Sequence, residues 1–194
     1  MIKYDYSDEK TWDLICSGNT VGVFQCESKL VQKWLKKIKP RNIWELSAVI
    51  AIVRPGPLMS GFADEYVEYR NNEKEFESFG HPIIDEAFNA TNHVLLYQET
   101  LILLGQRLAW PDKPEMERLI LADDLRKAVG KKNQKKILEI GEEFVKGCLN
   151  NGVDKETANK LFEIIKRSGR YVFNLSHSIQ YAYVAFKTAY LKTY

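Results

Sequence analysis

A run of four cations around one glycine, at residues 125–132, most constrains what this chain can fold into. The flanking residues, 112–124 and 134–149, are both predicted to be helical. We therefore expect the helix to break at Gly130, where the positive charge is densest. Such a cluster at a helix break is typical of a site for a polyanion, such as a triphosphate or a nucleic-acid backbone. Its cations are Arg126, Lys127, Lys131 and Lys132.

A second stretch, at residues 171–178, carries an amide, two serine hydroxyls and an imidazole at the start of a helix rich in aromatic residues. We predict that helix over residues 178–194, with Ser176 as its N-cap. A serine beside a histidine in the sequence is not a catalytic triad, because the members of a triad meet in space. We therefore expect these residues to bind a ligand or to have a structural role, and not to supply a nucleophile.

Length and composition predict a soluble protein with one domain, or one domain and a small appendage. The chain has 194 residues, of which 45% are hydrophobic, and a formal net charge of only +2. A strongly basic nucleic-acid-binding module would carry more positive charge, so any anion site in this chain must depend on a local cluster of cations. Three cysteines without a C-x-x-C pair predict free thiols in a reducing compartment. With no apolar run of the ~18–20 residues that a membrane helix requires, we expect a cytoplasmic protein without membrane contacts.

The hydrophobic periodicity predicts a mainly α, multi-helix domain with one or two short strand pairs. Asp8, Ser28 and Asp154 are predicted to cap helices, and the Arg-Pro-Gly-Pro segment at 54–57 is predicted to end one. Residues 20–25, which are β-branched and aromatic, are predicted to form a short strand.

Five short motifs follow one another along the chain. They are Gly-Val-Phe-Gln-Cys-Glu-Ser at 22–28, Arg-Pro-Gly-Pro at 54–57, Leu-Tyr-Gln-Glu at 96–99, Leu-Arg-Lys-Ala-Val-Gly-Lys-Lys at 125–132 and Phe-Asn-Leu-Ser-His-Ser at 173–178, with Tyr-Ala at 181–182 after the last. In this order and spacing they resemble the C-family replicative DNA polymerases, the α subunits of bacterial DNA polymerase III. One such motif would mean little, whereas five in order over nearly the whole chain are specific.

The resemblance implies that the chain is the fingers domain of such a polymerase, with residues 1–27 leading out of the palm and residues 28–194 forming the helical fingers. In that family the palm holds two metal ions, expected to be Mg²⁺, on a D-x-D pair and a third aspartate. This sequence contains no D-x-D. We therefore expect no catalytic and no metal-binding residue here, and no polymerisation by the chain alone. Whether the palm lies on the same polypeptide stays open.

The resemblance also implies that the chain binds the triphosphate of the incoming deoxynucleotide (dNTP) and closes over the primer–template DNA. The implied nucleotide-binding residues are Arg126, Lys127, Lys131, Lys132, Arg54, Asn174, Ser176 and His177. Two positions depart from the family pattern: Lys127 stands in place of a second arginine, and Leu175 in place of a lysine. Because a lysine lacks the bidentate fork of an arginine, we expect a looser hold on phosphate.

Each of these assignments has a simpler alternative. The basic cluster is also compatible with a solvated helix end, where the helix macrodipole favours cations. Arg54 is equally compatible with an ordinary polar residue at a helix end, and His177 with a hydrogen-bonded structural residue.

Two other functions fit the sequence. A non-enzymatic helical DNA-binding module would contact the DNA backbone through lysine-rich helix faces, with an affinity that depends on salt. One such face contains Lys29, Lys33, Lys36 and Lys37. A plain interaction scaffold would bind neither DNA nor nucleotide.

Overall fold

The structure, a computed structural model, describes residues 3–194 and is mainly α, as predicted. Within these residues strand pairing is limited to one isolated parallel bridge between Tyr97 and Phe173. None of the helices in this described part is long and apolar enough to cross a bilayer. Residues 3–194 form eleven helices, which are α1 (Glu9–Ser17), α2 (Lys29–Ile38), α3 (Ile43–Ile52), α4 (Pro55–Met59), α5 (Phe62–Arg70), α6 (Pro82–Asn89), α7 (Gln98–Leu108), α8 (Glu115–Gly130), α9 (Gln134–Asn150), α10 (Lys155–Ser168) and α11 (Leu175–Thr193).

Six of these helices begin at a side chain that caps the first turn. In each, the oxygen of an Asp, Ser or Asn accepts a hydrogen bond from the backbone N–H three residues later, a group that a helix start otherwise leaves without a partner. The predicted caps Asp8, Ser28 and Asp154 are confirmed. The other three caps are Asn42, Asn133 and Asn174.

The chain divides into two compact units. The first contains the residues up to Lys74 together with Asn174–Tyr194, and thus α1–α5 and α11. In this unit α11 packs against α1 and α3. The rings of Phe186 and Trp12 lie 4.8 Å apart between centroids. The other buried residues of α11 have small side chains, which allow close helix packing: Ser178, Ala182, Ala185 and Ala189.

The second unit, Glu75–Phe173, contains α6–α10. Its helices enclose a single apolar cluster, in which α7 packs against α6, α8 and α9, and α9 packs against α10. The largest contributions come from side chains with no exposed surface. These include Leu101, Leu104, Phe144, Leu161 and Ile165.

Glycines bring helices of the second unit unusually close together. A side-chain carbon added at Gly105 of α7 would lie 2.9 Å from Cβ of Ala122 in α8. One added at Gly147 of α9 would overlap the backbone carbonyl group of Ala109, directly after α7. Because a backbone carbonyl cannot swing aside as a flexible side chain can, the glycine at position 147 fixes α9 against the end of α7.

The predicted strand at residues 20–25 is wrong. The segment forms two consecutive turns, in which the N–H groups of Val23 and Cys26 donate to the carbonyls three residues earlier at 3.0 Å. Gly22 and Gln25 have φ angles of 82° and 60°, which a strand does not allow. Val23 and Cys26 are buried, so the apolar residues of this segment lie in a buried turn. The hydrophobic pattern of such a short segment does not distinguish a buried turn from a strand.

The three cysteines are free thiols, as predicted, and all three are buried. Burial raises the pKa of Cys26 and of Cys148 to about 12. The reactive thiolate is therefore scarce at neutral pH, and these residues behave as small apolar side chains.

The close approach of α9 to α7 leads to a stability prediction. We expect Gly147→Ala to lower the free energy of unfolding by about 3 kcal/mol or more, the upper end of the cost of overpacking. Gly130→Ala is the matched control, because its added carbon meets open space at the last residue of α8. That variant is expected to gain up to about 1 kcal/mol. Urea denaturation followed by circular dichroism measures both, and equal stability of the two variants would contradict the close approach.

Candidate functional site

The predicted basic cluster lies at the turn between α8 and α9, in the second unit. Helix α8 ends at Gly130, so the predicted break in the helix falls at this glycine. The left-handed residue of the turn comes two residues later, at Lys132, with φ of 55°. The N–H groups of Lys132 and Asn133 donate to carbonyls of the last turn of α8. This is a Schellman arrangement, in which glycine is the usual left-handed residue. Asn133 then caps α9 directly.

Arg126 and Lys127 converge on one carboxylate. The Nε atom of Arg126 lies 2.8 Å from Oδ1 of Asp123, and Nζ of Lys127 lies 2.7 Å from Oδ2 of the same side chain. Helical spacing explains the convergence: at about 100° per residue, Asp123 lies between the two cations around the helix axis and one turn before them. The two cations are thus placed so that they meet on a single anionic group.

The contact with the two cations changes the pKa of Asp123, and the contact with Asp123 changes the pKa of Lys127. The Lys127 ammonium, and after it the Arg126 guanidinium, hold the pKa of Asp123 below its usual value. The hydrogen bond to Asp123 raises the pKa of Lys127. Asp123 and Lys127 are therefore charged at neutral pH. The side chains are 25%, 32% and 51% exposed, in the order Arg126, Asp123 and Lys127, so water screens each pair and weakens it.

The cluster also contains residues that the sequence interpretation missed. Asp124 lies 3.5 Å from Nζ of Lys136, which brings a cation of α9 to the end of α8. Lys135, the preceding residue, is highly exposed. The pairing of Asp123 with two cations was missed as well. The signal was present in the sequence, because acids placed three and four residues before a base on a helix pair with it.

Residues 123–136 concentrate positive charge, but their cationic side chains point in different directions around the helix axis. Residues 123–136 contain six cations and two carboxylates, a formal charge of +4, which exceeds the +2 of the whole chain. Helical spacing, continued to the C-cap Lys131, places Lys127 and Lys131 on one side, one turn apart, and turns Arg126 about 140° away from Lys131. Lys127 is therefore the residue that links Arg126, through Asp123, with the lysines of the turn.

Arg54 lies in the first unit. As predicted, the Arg-Pro-Gly-Pro segment ends α3, and it then starts the short helix α4 with Pro55 in its first turn. The Nε atom of Arg54 donates to the carbonyl of Ala51 at 2.7 Å. Burial lowers the pKa of the Arg54 guanidinium, yet an arginine stays protonated at physiological pH.

The other three predicted residues lie at the start of α11, also in the first unit. This helix begins at Leu175, earlier than predicted, and its N-cap is Asn174 and not Ser176. Oδ1 of Asn174 accepts hydrogen bonds from the N–H of His177 and from the hydroxyl of Ser176, both at 2.8 Å. The His177 ring lies against Tyr181, with centroids 4.0 Å apart. All three residues thus have a structural role here, and nucleotide binding stays a prediction for them.

The eight predicted nucleotide-binding residues are therefore divided equally between the two units. The structure brings Arg126 and Lys127 together at Asp123, and Lys131 and Lys132 follow them in the turn after α8. Among residues 3–194 no group of three His, Cys, Asp or Glu side chains is arranged to hold a metal ion.

Comparison with known proteins decides the family. Residues 1–152 match the family described as the bacterial DNA polymerase III alpha subunit finger domain. The chain belongs to this family. The DNA polymerase III subunit alpha of Thermotoga maritima is 39% identical over 191 residues, which cover 98% of this chain and 21% of that protein. The corresponding subunits of Aquifex aeolicus and Pseudomonas aeruginosa are 37% and 34% identical, over 96% of this chain and 16% of each relative.

This finger-domain chain thus spans about a sixth to a fifth of the length of the relatives it matches. Arg54 and the basic turn lie within the residues that match the finger-domain family. Asn174, Ser176 and His177 lie beyond that match, in a part of the chain where the family assignment depends on the whole-chain similarity to the alpha subunits.

The cap of α11 in this finger domain leads to a second stability prediction. We expect Asn174→Ala to lower the free energy of unfolding by about 1 kcal/mol, the usual cost of losing an N-cap. Ser176→Ala removes a hydroxyl that is not the cap and is expected to change stability by less than about 0.5 kcal/mol. Chemical denaturation measures both variants. A larger loss of unfolding free energy for Ser176→Ala than for Asn174→Ala would show that Ser176 is the cap.

Proposed function

We propose that this finger domain holds the triphosphate of the incoming dNTP during DNA-templated DNA synthesis by a complete polymerase. The observation that carries the proposal is the convergence of Arg126 and Lys127 on the carboxylate of Asp123. A carboxylate and a phosphate both present paired anionic oxygens to N–H donors, so an arrangement that holds one suits the other.

Side chains, and not helix dipoles, supply the attraction for an anion at this turn. The C-terminus of α8 carries roughly half a negative charge and the N-terminus of α9 roughly half a positive charge. These two ends are separated by only three residues, Lys131 to Asn133, so their fields largely cancel. The side chains of residues 123–136 contribute a formal +4, which favours a highly charged anion such as a nucleoside triphosphate.

In this proposal the cations act on the leaving group. As the new bond forms, negative charge develops on the departing pyrophosphate, and Arg126 and Lys127 stabilise it where it appears. Lys131 and Lys132 extend the contact along the phosphates. Asn174, Ser176, His177 and Arg54 contribute further nucleotide contacts.

The activity of the complete protein is part of the same proposal. We infer a DNA-directed DNA polymerase that works in the cytoplasm, with its Mg²⁺ held by a palm domain outside this chain. Residues 1–27 lead out of that palm, and residues 28–194 close over the primer–template terminus, which assembles the site and rejects mispairs. The isolated chain is inactive in this view, because the metal-binding aspartates belong to the palm.

Replacing Arg126 tests the proposed contact. In a complete polymerase that contains this chain, we expect Arg126→Ala to lower kcat/KM for dNTP incorporation by about 10- to 150-fold, equivalent to the 1.5–3 kcal/mol of a hydrogen bond to a charged group. Steady-state incorporation kinetics provide the measurement. The control is Lys135→Ala, which removes one highly exposed positive charge from the same region. An unchanged kcat/KM for Arg126→Ala, or an equal loss for Lys135→Ala, would refute the assignment.

The surface of α2 favours a second role in contacting DNA. Its lysines Lys29, Lys33, Lys36 and Lys37 are exposed, whereas the opposite face, with Trp34 and Leu35, is buried. An exposed row of ammonium groups on one helix face suits the regular spacing of phosphates along a nucleic-acid backbone.

A salt titration tests this second role. If Lys33 and Lys36 each neutralise one phosphate of duplex DNA, replacing both with alanine lowers the slope of log affinity against log salt by about 2. Fluorescence anisotropy with labelled DNA measures the slope, with and without dNTP. A steep slope that does not respond to dNTP, together with normal incorporation by Arg126→Ala, would favour a DNA-binding module over a nucleotide site.

A further inference from the structure

We propose that Asp123 is an internal competitor for the nucleotide phosphate: it holds Arg126 and Lys127 when no nucleotide is bound and releases them when the triphosphate enters. This inference rests on the proposed function. It assigns Asp123 a role as a positioning residue that sets the affinity of the site.

Asp123 occupies the position in which two phosphate oxygens would meet the same donors. Its Oδ1 accepts from Nε of Arg126 at 2.8 Å, and its Oδ2 lies 2.7 Å from Nζ of Lys127. These are the lengths of charge-assisted bonds between an N–H donor and an anionic oxygen. A phosphate on the same donors requires the same space, so the carboxylate and the ligand exclude one another there.

The internal contacts are weak enough to be exchanged. Asp123 and Arg126 are about a third and a quarter exposed, and Lys127 is half exposed. Ion pairs at such positions contribute little because water screens them and because two long side chains must be ordered. A triphosphate carries several negative charges against one on Asp123, so the exchange favours the ligand. The carboxylate meanwhile offsets the repulsion between the adjacent cations Arg126 and Lys127 in the empty site.

Asp124 provides a matched control on the same turn of the helix. It carries the same charge, and its side chain is 36% exposed against 32% for Asp123. Its charged partners are Lys136 at 3.5 Å and, more distantly, Lys127 at 3.9 Å. Removing the charge of Asp124 therefore tests the general electrostatic field, whereas removing that of Asp123 also frees both cations.

Calorimetric titration of inorganic triphosphate into the full 194-residue chain tests the inference. The proteins are the wild type, Arg126→Ala, Asp123→Asn and Asp124→Asn, at one ionic strength, with circular dichroism confirming equal helix content. We expect Asp123→Asn to bind about three- to tenfold more tightly than the wild type, and Asp124→Asn to differ by about twofold or less, as suits the release of two partly exposed ion pairs.

The outcomes separate this inference from the function on which it rests. Tighter binding by Asp123→Asn alone supports the competitor role. Equal gains in both Asp variants overturn it, because general charge would then explain the effect. Unchanged or weaker binding by Asp123→Asn, with binding lost in Arg126→Ala, overturns the competitor role and leaves the triphosphate site standing. Absence of measurable binding in every protein overturns both.

Discussion

The contact between Gly147 of α9 and the end of α7 is the constraint on which the second unit depends. No side chain separates α9 from the carbonyl of Ala109, so neither helix can rotate or slide without a clash. Gly105 and Ala122 hold α7 against α8 in the same way. The three helices therefore form a closely packed block, and the α8–α9 turn projects from it. Binding groups carried by packed helices are held more precisely than groups on a free loop.

The cations of the basic turn attract anions, and two carboxylates of the same turn partly neutralise them. The six cations of residues 123–136 repel one another, and Asp123 and Asp124 reduce that repulsion. Because its partners lower the pKa of Asp123, the carboxylate stays ionised throughout the physiological range. Its contribution to stability is fully present above its ordinary pKa of about 3.9 and is lost only as the pH falls below that value. The balance within the turn is therefore insensitive to pH near neutrality.

Much of the fold follows from local sequence, and the exceptions have physical causes. Helix starts at Asp8, Ser28 and Asp154 were predictable, because a cap needs only its own first turn. The turns at residues 20–25 were not. The β-branched and aromatic residues of this segment predict a strand, but Val23 and Cys26 are buried within two consecutive turns. Tertiary burial overrides local propensity in this segment.

Some features of the candidate site also follow from local sequence, and others depend on tertiary contacts. Its cations were predictable from composition and order, and the meeting of Arg126 and Lys127 at Asp123 follows from helical spacing. The start of α11 was misplaced because Asn174 and Ser176 are both good caps, and the sequence does not choose between them. The positions of Arg54 and Asn174 within the first unit depend on contacts between residues far apart in the chain, such as the packing of α11 on α3, which no local pattern determines.

The left-handed backbone at Lys132 has a consequence for how this turn can evolve. A residue with a side chain pays roughly 1–2 kcal/mol for that conformation, and glycine avoids most of this cost. A glycine at this position would make the turn more stable, whereas a lysine keeps a positive charge in it. Selection for stability and selection for positive charge would therefore favour different residues at position 132.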